Sequence, residues 1–477
     1  MNIIKGPYLQ FNRSKDMLVL WETDDAGPSQ VDYGVDGLEH HVEQTTSVNL
    51  HCVELSNLEP ETTYQYRIRT DDAESDIFTF RTEVNESTPF TFAAFGDSRT
   101  TPEQSSAVGR QMGSHNPHFL LHSGDLVSNG TAYEQWEEQF FSPLGDTLAH
   151  VPIFPVLGNH EQNSEHFYNF FPSGSWYTFK YGDTQFIALD TNTASGGFVP
   201  GTEQHAWLEQ TLAETDATWR IVWFHHPPYS SGNHGCSFEQ REAFAPLFEK
   251  YNVDMVFNGH DHIYERSFPM QANERADDSG VIYVVTGGGG APLYSVNAGD
   301  WTAYATAVHH CCIVSIDGPL LRLVAYSLHG DIVDRRWLCK DRAFISEQIQ
   351  QLQDESQRKD AIHALGALCC QDAIPELLPF ATDADIEIRR RVAEALARMG
   401  DPQTQEGLEH LSADADTDTA RFAAFGLALI ARNSPSRRLV DLLDHSDEEV
   451  RQYASDGLNF SDTDWAREAL EAATPSE

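Results

Sequence analysis

Residues 253–267 read VDMVFNGHDHIYERS, and this stretch decides the fold. The apolar run Met255-Val256-Phe257 fits a strand buried on both faces. It stops at Gly259, and His260, Asp261 and His262 follow at once. Titratable side chains directly after a buried strand lie on the rim of a sheet, where open α/β sheets bind ligands. A lone His at a strand end is ordinarily a satisfied surface or core side chain. The reading therefore turns on whether other strands end in the same way.

Five others do. FAAF runs into Gly96-Asp97-Ser98-Arg99, FLLHS into Gly124-Asp125, and IFPVL into Gly158-Asn159-His160-Glu161. RIVWF runs into His225-His226-Pro227-Pro228, and VIYVVT into the glycine tract 287–290. Each cluster alone is an ordinary turn. Their succession (Asp, Asp, Asn-His, His-His, His-x-His) is not, because it collects carboxylates and imidazoles on one rim. That donor mixture suits Mn, Fe or Zn better than Ca or Mg. A bridging carboxylate with N and O donors on either side can build a two-metal site.

The strands alternate with helix-like segments near 102–114, 133–141, 202–214 and 238–250, which predicts an α/β domain over residues 86–340. Residues 1–85 differ. MLVLWET, SQVDYGV, SVNLHCVEL, TYQYRIRT and IFTFRT alternate apolar and polar positions, as short strands of a β-sandwich do. From residue 341 to 477 the chain is Ala- and Leu-rich and repetitive. Arg391, Arg421 and Arg451 recur every 30 residues in similar frames, and RKDAIHALGAL near Arg358 is an earlier copy. A period of this size predicts a stacked helical solenoid.

The net charge is −42, from 73 acidic and 31 basic residues. Such a surface argues against binding nucleic acid or an anionic membrane by charge. It also repels phosphate esters, so phosphate chemistry would need a locally positive site such as bound metal. The seven cysteines include two vicinal pairs and no CxxC, which reads as free thiols rather than a disulfide framework or thiolate zinc site. No run of eighteen apolar residues predicts a membrane span. The start, MNIIKGPYLQ, lacks the apolar core of a signal peptide, so the expected location is cytoplasmic, or secreted where a leader has been removed.

The ordered motif set resembles the metallophosphoesterase (calcineurin-like) superfamily. VDMVFNGHDHIYERS and the preceding β-domain are similar to the purple acid phosphatases, over roughly residues 1–340. Leu55-to-Tyr66 resembles a fibronectin type III corner, and the C-terminal units resemble HEAT-like repeats. The resemblance implies a multidomain chain: an N-terminal β-sandwich, a central four-layer α/β metallophosphoesterase sandwich and a C-terminal HEAT-like α-helical solenoid. It implies hydrolysis of phosphomonoesters or phosphodiesters, on a small-molecule or protein substrate, by metal-activated hydroxide at a dinuclear site of Fe, Mn or Zn. Asp97 and His262 would ligate the first metal, Asp125 would bridge, and Asn159, His225 and His260 would complete the second. His160 would face the phosphoryl group as orienter or general acid, and His234 matches a substrate-site His in position.

Two positions depart from the family pattern. Purple acid phosphatases carry a Tyr three residues after the bridging Asp, where this chain has Ser128. Related phosphodiesterases carry a His two residues after the first Asp, where this chain has Arg99. The first metal is therefore one protein ligand short of either pattern. Arg99 could bind a substrate phosphate oxygen or form a surface salt bridge. The alternative to an enzyme is a phosphoesterase-fold scaffold that works through a protein partner on its repeats.

Overall fold

The computed structural model describes residues 1–477 except 12–14, 87, 194–195, 277–279, 462 and 474–477. The chain divides into two compact units, Met1–Arg335 and Arg336–Glu477. The first holds both the antiparallel N-terminal domain and the α/β domain.

In the N-terminal domain, six strands between Ile3 and Arg81 form an antiparallel assembly. MLVLWET and SQVDYGV, read as two strands, are one long strand, Met17–Gly34. Its register against His40–Leu55 shifts on either side of Gly27. Bulges bend a strand and let it turn a corner. Both halves consequently feed one core, with Val19 and Trp21 from the first and Val31 from the second. At the corner, the Tyr64 hydroxyl accepts from the Glu59 amide at 3.0 Å. The domain packs directly on the α/β domain. The buried Tyr66 hydroxyl donates to the Ala149 carbonyl at 2.7 Å, and Tyr8 donates to Phe170 O at 2.9 Å.

The α/β domain has two sheets face to face, as the four-layer sandwich implied by the resemblance requires. One has the strand order Ile332–Cys339, Leu320–Ser327, His310–Asp317, Phe90–Phe95, Phe119–His122, Ile153–Pro155. The other has the order Tyr177–Tyr181, Thr184–Ala188, Trp219–Trp223, Met255–Asn258, Ile282–Thr286, Tyr264–Ser267, Thr302–Thr306. The strands that carry the polar clusters pair in parallel: the last three of the first sheet, and Trp219–Trp223 with Met255–Asn258 and Ile282–Thr286 in the second.

Alternation along the strands explains the layers. Phe92, Phe119, Phe186 and Phe257 point between the sheets, with Phe92 and Phe186 edge-on at 5.2 Å. Ile187, Val222 and Val256 point the other way, onto Leu208, Leu212, Phe244 and Phe248 of helices Glu203–Glu214 and Phe238–Lys250. Ala93, Phe95 and Leu120 pack onto Val108 and Met112 of helix Pro102–Ser114. The result is helix, sheet, sheet, helix. Each fully buried large apolar side chain contributes ~1.5–3 kcal/mol by leaving water. The helix expected over 133–141 is a short α-turn, Tyr133–Gln135, running into a π-turn, Trp136–Phe141.

The second unit stacks helices Arg358–Ala367, Ile386–Met399, Thr417–Ile430 and Glu448–Ser461 with shorter helices between them. The physical period is 31 residues, not the 30 taken from Arg391, Arg421 and Arg451. Asp385, Asp416 and Asp447 recur at that interval, and the side chains cap the amides of Glu387, Thr419 and Val450. Each Asp is also paired with the preceding repeat. Lys359 reaches Asp385 at 2.9 Å, Arg390 reaches Asp416 at 2.7 Å, and Arg421 reaches Asp447 at 2.6 Å. The Arg390 guanidinium holds the Asp416 carboxyl below the usual carboxylate range. Arg358, Arg389 and Arg451 form a second ladder, each donating to the carbonyl six residues earlier, of Leu352, Asp383 and His445. Arg391 falls between the ladders and donates to Lys359 O and Glu387.

Small residues let the helices touch. A Cβ on Gly426 would lie 2.8 Å from Ala397 Cα, and one on Gly457 would lie 2.9 Å from Ala428 Cα. Gly426→Val is expected to cost about 1–3 kcal/mol by overpacking, read as a lower urea midpoint of the far-ultraviolet dichroism. An unchanged midpoint would mean the stack adjusts freely. All seven cysteines are free. Among the described residues no helix is long and apolar enough to cross a membrane.

Candidate metal centre

Five strand ends meet at the common rim of the two sheets. Asp97, Asp125 and Asn159 follow Phe90–Phe95, Phe119–His122 and Ile153–Pro155 of the first sheet; His225, His260 and His262 follow Trp219–Trp223 and Met255–Asn258 of the second. Interlocked backbones hold the rim together. The Asp97 amide donates to Gly124 O at 2.9 Å, and the Gly259 amide donates to His225 O at 3.0 Å. Asp97, Asp125 and His260 all have left-handed backbones, with φ of 55°, 59° and 71°. Non-glycine residues held there carry strain, which clusters at functional sites.

The orientation of each ring is fixed from behind. His225 Nδ1 donates to Ser123 O at 2.9 Å, so Nε2 faces inward, 3.0 Å from Asn159 Oδ1 and 3.4 Å from Asp125 Oδ1. His262 Nδ1 donates to Pro292 O at 2.7 Å, so Nε2 faces Asp97 Oδ1 at 3.5 Å. One potential ligand atom from each of Asp97, Asp125 and His225 lies within 4.8 Å of the others, as does one from each of His225, His226 and His260. Burial lowers the pKa of His225 and His260, and brings His226 down to about 4. These rings are neutral at physiological pH, as metal ligation requires. Burial opposes charge on His262 too, but the Asp97 carboxylate outweighs it and raises that pKa. Burial also raises the Asp97 carboxyl, to about 6, with Asp125 adding to the effect.

The residues present fit a cation. Asp97 Oδ1 is fully buried and accepts no hydrogen bond, while Oδ2 is taken by the His260 amide at 2.9 Å. An unsatisfied buried carboxylate oxygen is costly, and a metal ion among these donors removes the cost.

Glu161 was not singled out by the sequence. Its buried carboxylate accepts the amides of Asp125 at 2.9 Å, Leu126 at 2.7 Å and Gly158 at 2.6 Å, tying together the loops that present Asp125 and Asn159. Gln139, on the π-turn, accepts from the amides of Thr100 and Ser128. Tyr294 stacks on His262 at 4.1 Å. The glycine tract is a close approach rather than a loose turn: a Cβ on Gly287 would lie 2.2 Å from Asp261 O.

His160 lies beside Asp125. Its amide donates to Asp125 Oδ1 at 3.0 Å, and its Nδ1 donates to Ser128 O at 2.8 Å, leaving Nε2 on the open side, 3.8 Å from Asp125 Oδ2. His234 is exposed and stacks on His260 at 4.1 Å. Arg99 forms no surface salt bridge. Its side chain is 13% exposed, with Nε 3.2 Å from Asp125 Oδ2 and Nη2 3.3 Å from His262 Nε2. Ser128 Oγ donates to Gln139 Oε1 at 2.9 Å, and no phenol occupies that position. Metal-loaded protein is therefore expected to be colourless; a strong visible charge-transfer band would contradict this.

Two packed sheets flanked by helices carry this cluster on their rim, and the sequence is similar to known families in all three regions of the chain. Residues 90–264 match the family model described as calcineurin-like phosphoesterase, residues 4–82 the purple acid phosphatase N-terminal domain, and residues 344–428 HEAT repeats. An uncharacterized protein of Mycobacterium tuberculosis is 28% identical over 60% of this chain and 69% of its own length. Purple acid phosphatase 15 of Arabidopsis thaliana is 30% identical over 54% of this chain, which spans only 56% of that protein. The structure of a purple acid phosphatase from yellow lupin (Lupinus luteus) seeds superposes with a TM-score of 0.63 at 21% identity, covering 71% of this chain and 75% of that one. Relatives of this class imply divalent metal ions.

Proposed function

We propose that the chain hydrolyses phosphoesters with metal held by Asp97, Asp125, Asn159, His225, His260 and His262. The observation that carries the reading is the unsatisfied, buried Asp97 Oδ1, on a carboxylate with a ligand atom within 4.8 Å of those of Asp125 and His225. Metal ions at such a site lower the pKa of water toward ~7 and neutralise charge on a phosphoryl group. The chain's residues supply the rest. Glu161 holds the Asp125 and Asn159 loops in place through backbone amides. His160, fixed by Ser128 O and one-third exposed, offers Nε2 to the phosphoryl group or the leaving oxygen. His234 stands at the open edge as a second contact for substrate oxygens. The repeats are proposed to bind a protein partner, as the concave faces of helical stacks do.

The test is turnover of paired chromogenic monoester and diester substrates by chelated protein reloaded with Mn, Fe or Zn. Metal-restored hydrolysis is expected, and the ratio of the two rates reads the ester class. No turnover by protein that has taken up metal would favour the scaffold.

A further inference from the structure

Arg99 sits where a first metal would have to be. Three donors are available on that side of the centre: Asp97 Oδ1, Asp125 Oδ2 and His262 Nε2. The Arg99 guanidinium takes two of them, donating from Nε to Asp125 Oδ2 at 3.2 Å and from Nη2 toward His262 Nε2 at 3.3 Å. With His262 Nδ1 donating to Pro292 O, Nε2 of the neutral ring is the nitrogen that accepts. Nη1 is fixed by Thr100 Oγ1 at 3.2 Å. A guanidinium this buried must be paired, and its partners are groups that a metal on that side would need. The two positions that could add a ligand there are also spent. One is Arg99 itself; the other is Ser128, whose hydroxyl is turned to Gln139.

The opposite side is intact. Asn159 Oδ1 and His225 Nε2 converge with Asp125 Oδ1, and His225, His226 and His260 have ligand atoms within 4.8 Å of one another. The group Asp97, Asp125 and His225 shares His225 with that cluster.

We propose that the centre holds one metal ion per chain, and that the Arg99 guanidinium is its second cation, occupying the place of a first metal. This rests on the metal-dependent reading above and changes its stoichiometry. A fixed guanidinium beside a single metal presents a planar fork to phosphate oxygens. It also repels a second ion across the shared Asp125 carboxylate.

The experiment is Mn(II) binding to the chelated full chain, by equilibrium titration and by metal content after desalting, with low-temperature electron paramagnetic resonance as the second readout. Wild type is expected to bind one Mn(II) with an isolated-ion spectrum. Arg99→His, which replaces the cation with a ligand, is expected to bind two with an exchange-coupled spectrum. Two ions in wild type would overturn the proposal. So would one ion in both proteins, since Arg99 would then not be what excludes the second. Binding of no Mn(II) by either protein would overturn the metal-dependent reading itself. The wild-type stoichiometry decides the matter even if the variant fails to fold.

Discussion

Asp125→Asn is expected to lower phosphoester turnover by at least ~10³-fold with little loss of stability. That is the upper range for removing one preorganised electrostatic group, and it exceeds the ~10–100-fold typical of a partner behind the ligands. Asp125 meets three separate groups. Its Oδ1 accepts from the His160 amide and faces His225 Nε2 at 3.4 Å, while Oδ2 accepts from Arg99. Asn is nearly isosteric and tolerates the left-handed backbone at φ 59°. It removes the negative charge and turns an N–H₂ either toward the His160 amide or toward the Arg99 guanidinium, neither of which can accept. Metal affinity and the position of Arg99 are therefore lost together. The readouts are kcat in saturating Mn(II), bound metal per chain and the melting temperature. A variant that keeps a tenth of the activity would mean that Asp125 is not central to the chemistry. A variant that loses activity because it unfolds would show a collapsed melting transition.

The sequence made the ligand candidates legible because each follows an apolar strand directly. Asp97, Asp125, Asn159, His225, His260 and His262 stand two to four residues past a strand end, and strand ends are readable from hydrophobic runs. Groups that act on backbone were not legible. Glu161 and Gln139 accept main-chain amides from loops distant in sequence, and no periodicity marks such a carboxylate or amide. The His225-His226 doublet was visible, but which ring reaches His260 depends on the turn after Trp223. Tyr294 lies beyond the glycine tract, whose close approach to Asp261 sets its place.

The layering was legible only through the resemblance, because apolar strands buried on both faces look alike whether helices cover both faces or a second sheet covers one. The pairing order shows which strands belong to which sheet. In the repeats, Arg391, Arg421 and Arg451 caught the eye as the strongest recurring letters. The period is set by capping and ion pairing, through Asp385, Asp416 and Asp447 with Lys359, Arg390 and Arg421. Lys359 and Arg390 are different letters with one role, and a search for identical residues passes over them.

Asp334→Ala is expected to destabilise the first unit by about 3–5 kcal/mol, the range for removing one partner of a buried ion pair. The strand Tyr264–Ser267, which continues directly from the His260-Asp261-His262 turn, is anchored by this carboxylate. Arg266 Nε donates to Asp334 Oδ2 at 2.6 Å and Nη2 to Oδ1 at 3.3 Å, a two-pronged pair with side chains 4% and 0% exposed. The Tyr264 hydroxyl donates to Oδ2 at 2.8 Å. Alanine would take the Asp334 charge away from a buried guanidinium and from the buried Tyr264 hydroxyl that donates to it. At roughly 2–4 °C per kcal/mol for a unit of this order of size, the calorimetric transition of the first unit should fall by ~6–20 °C. The paired replacement Arg266→Met with Asp334→Leu should recover much of the loss, because an apolar pair of similar volume carries no desolvation cost. If Asp334→Ala melts within a degree of wild type, the pair contributes nothing net. If the double variant melts no higher than the single one, the loss comes from packing rather than from the stranded charge. Recovery of stability without recovery of turnover would show that the buried pair positions the histidine turn as well as stabilising the strand.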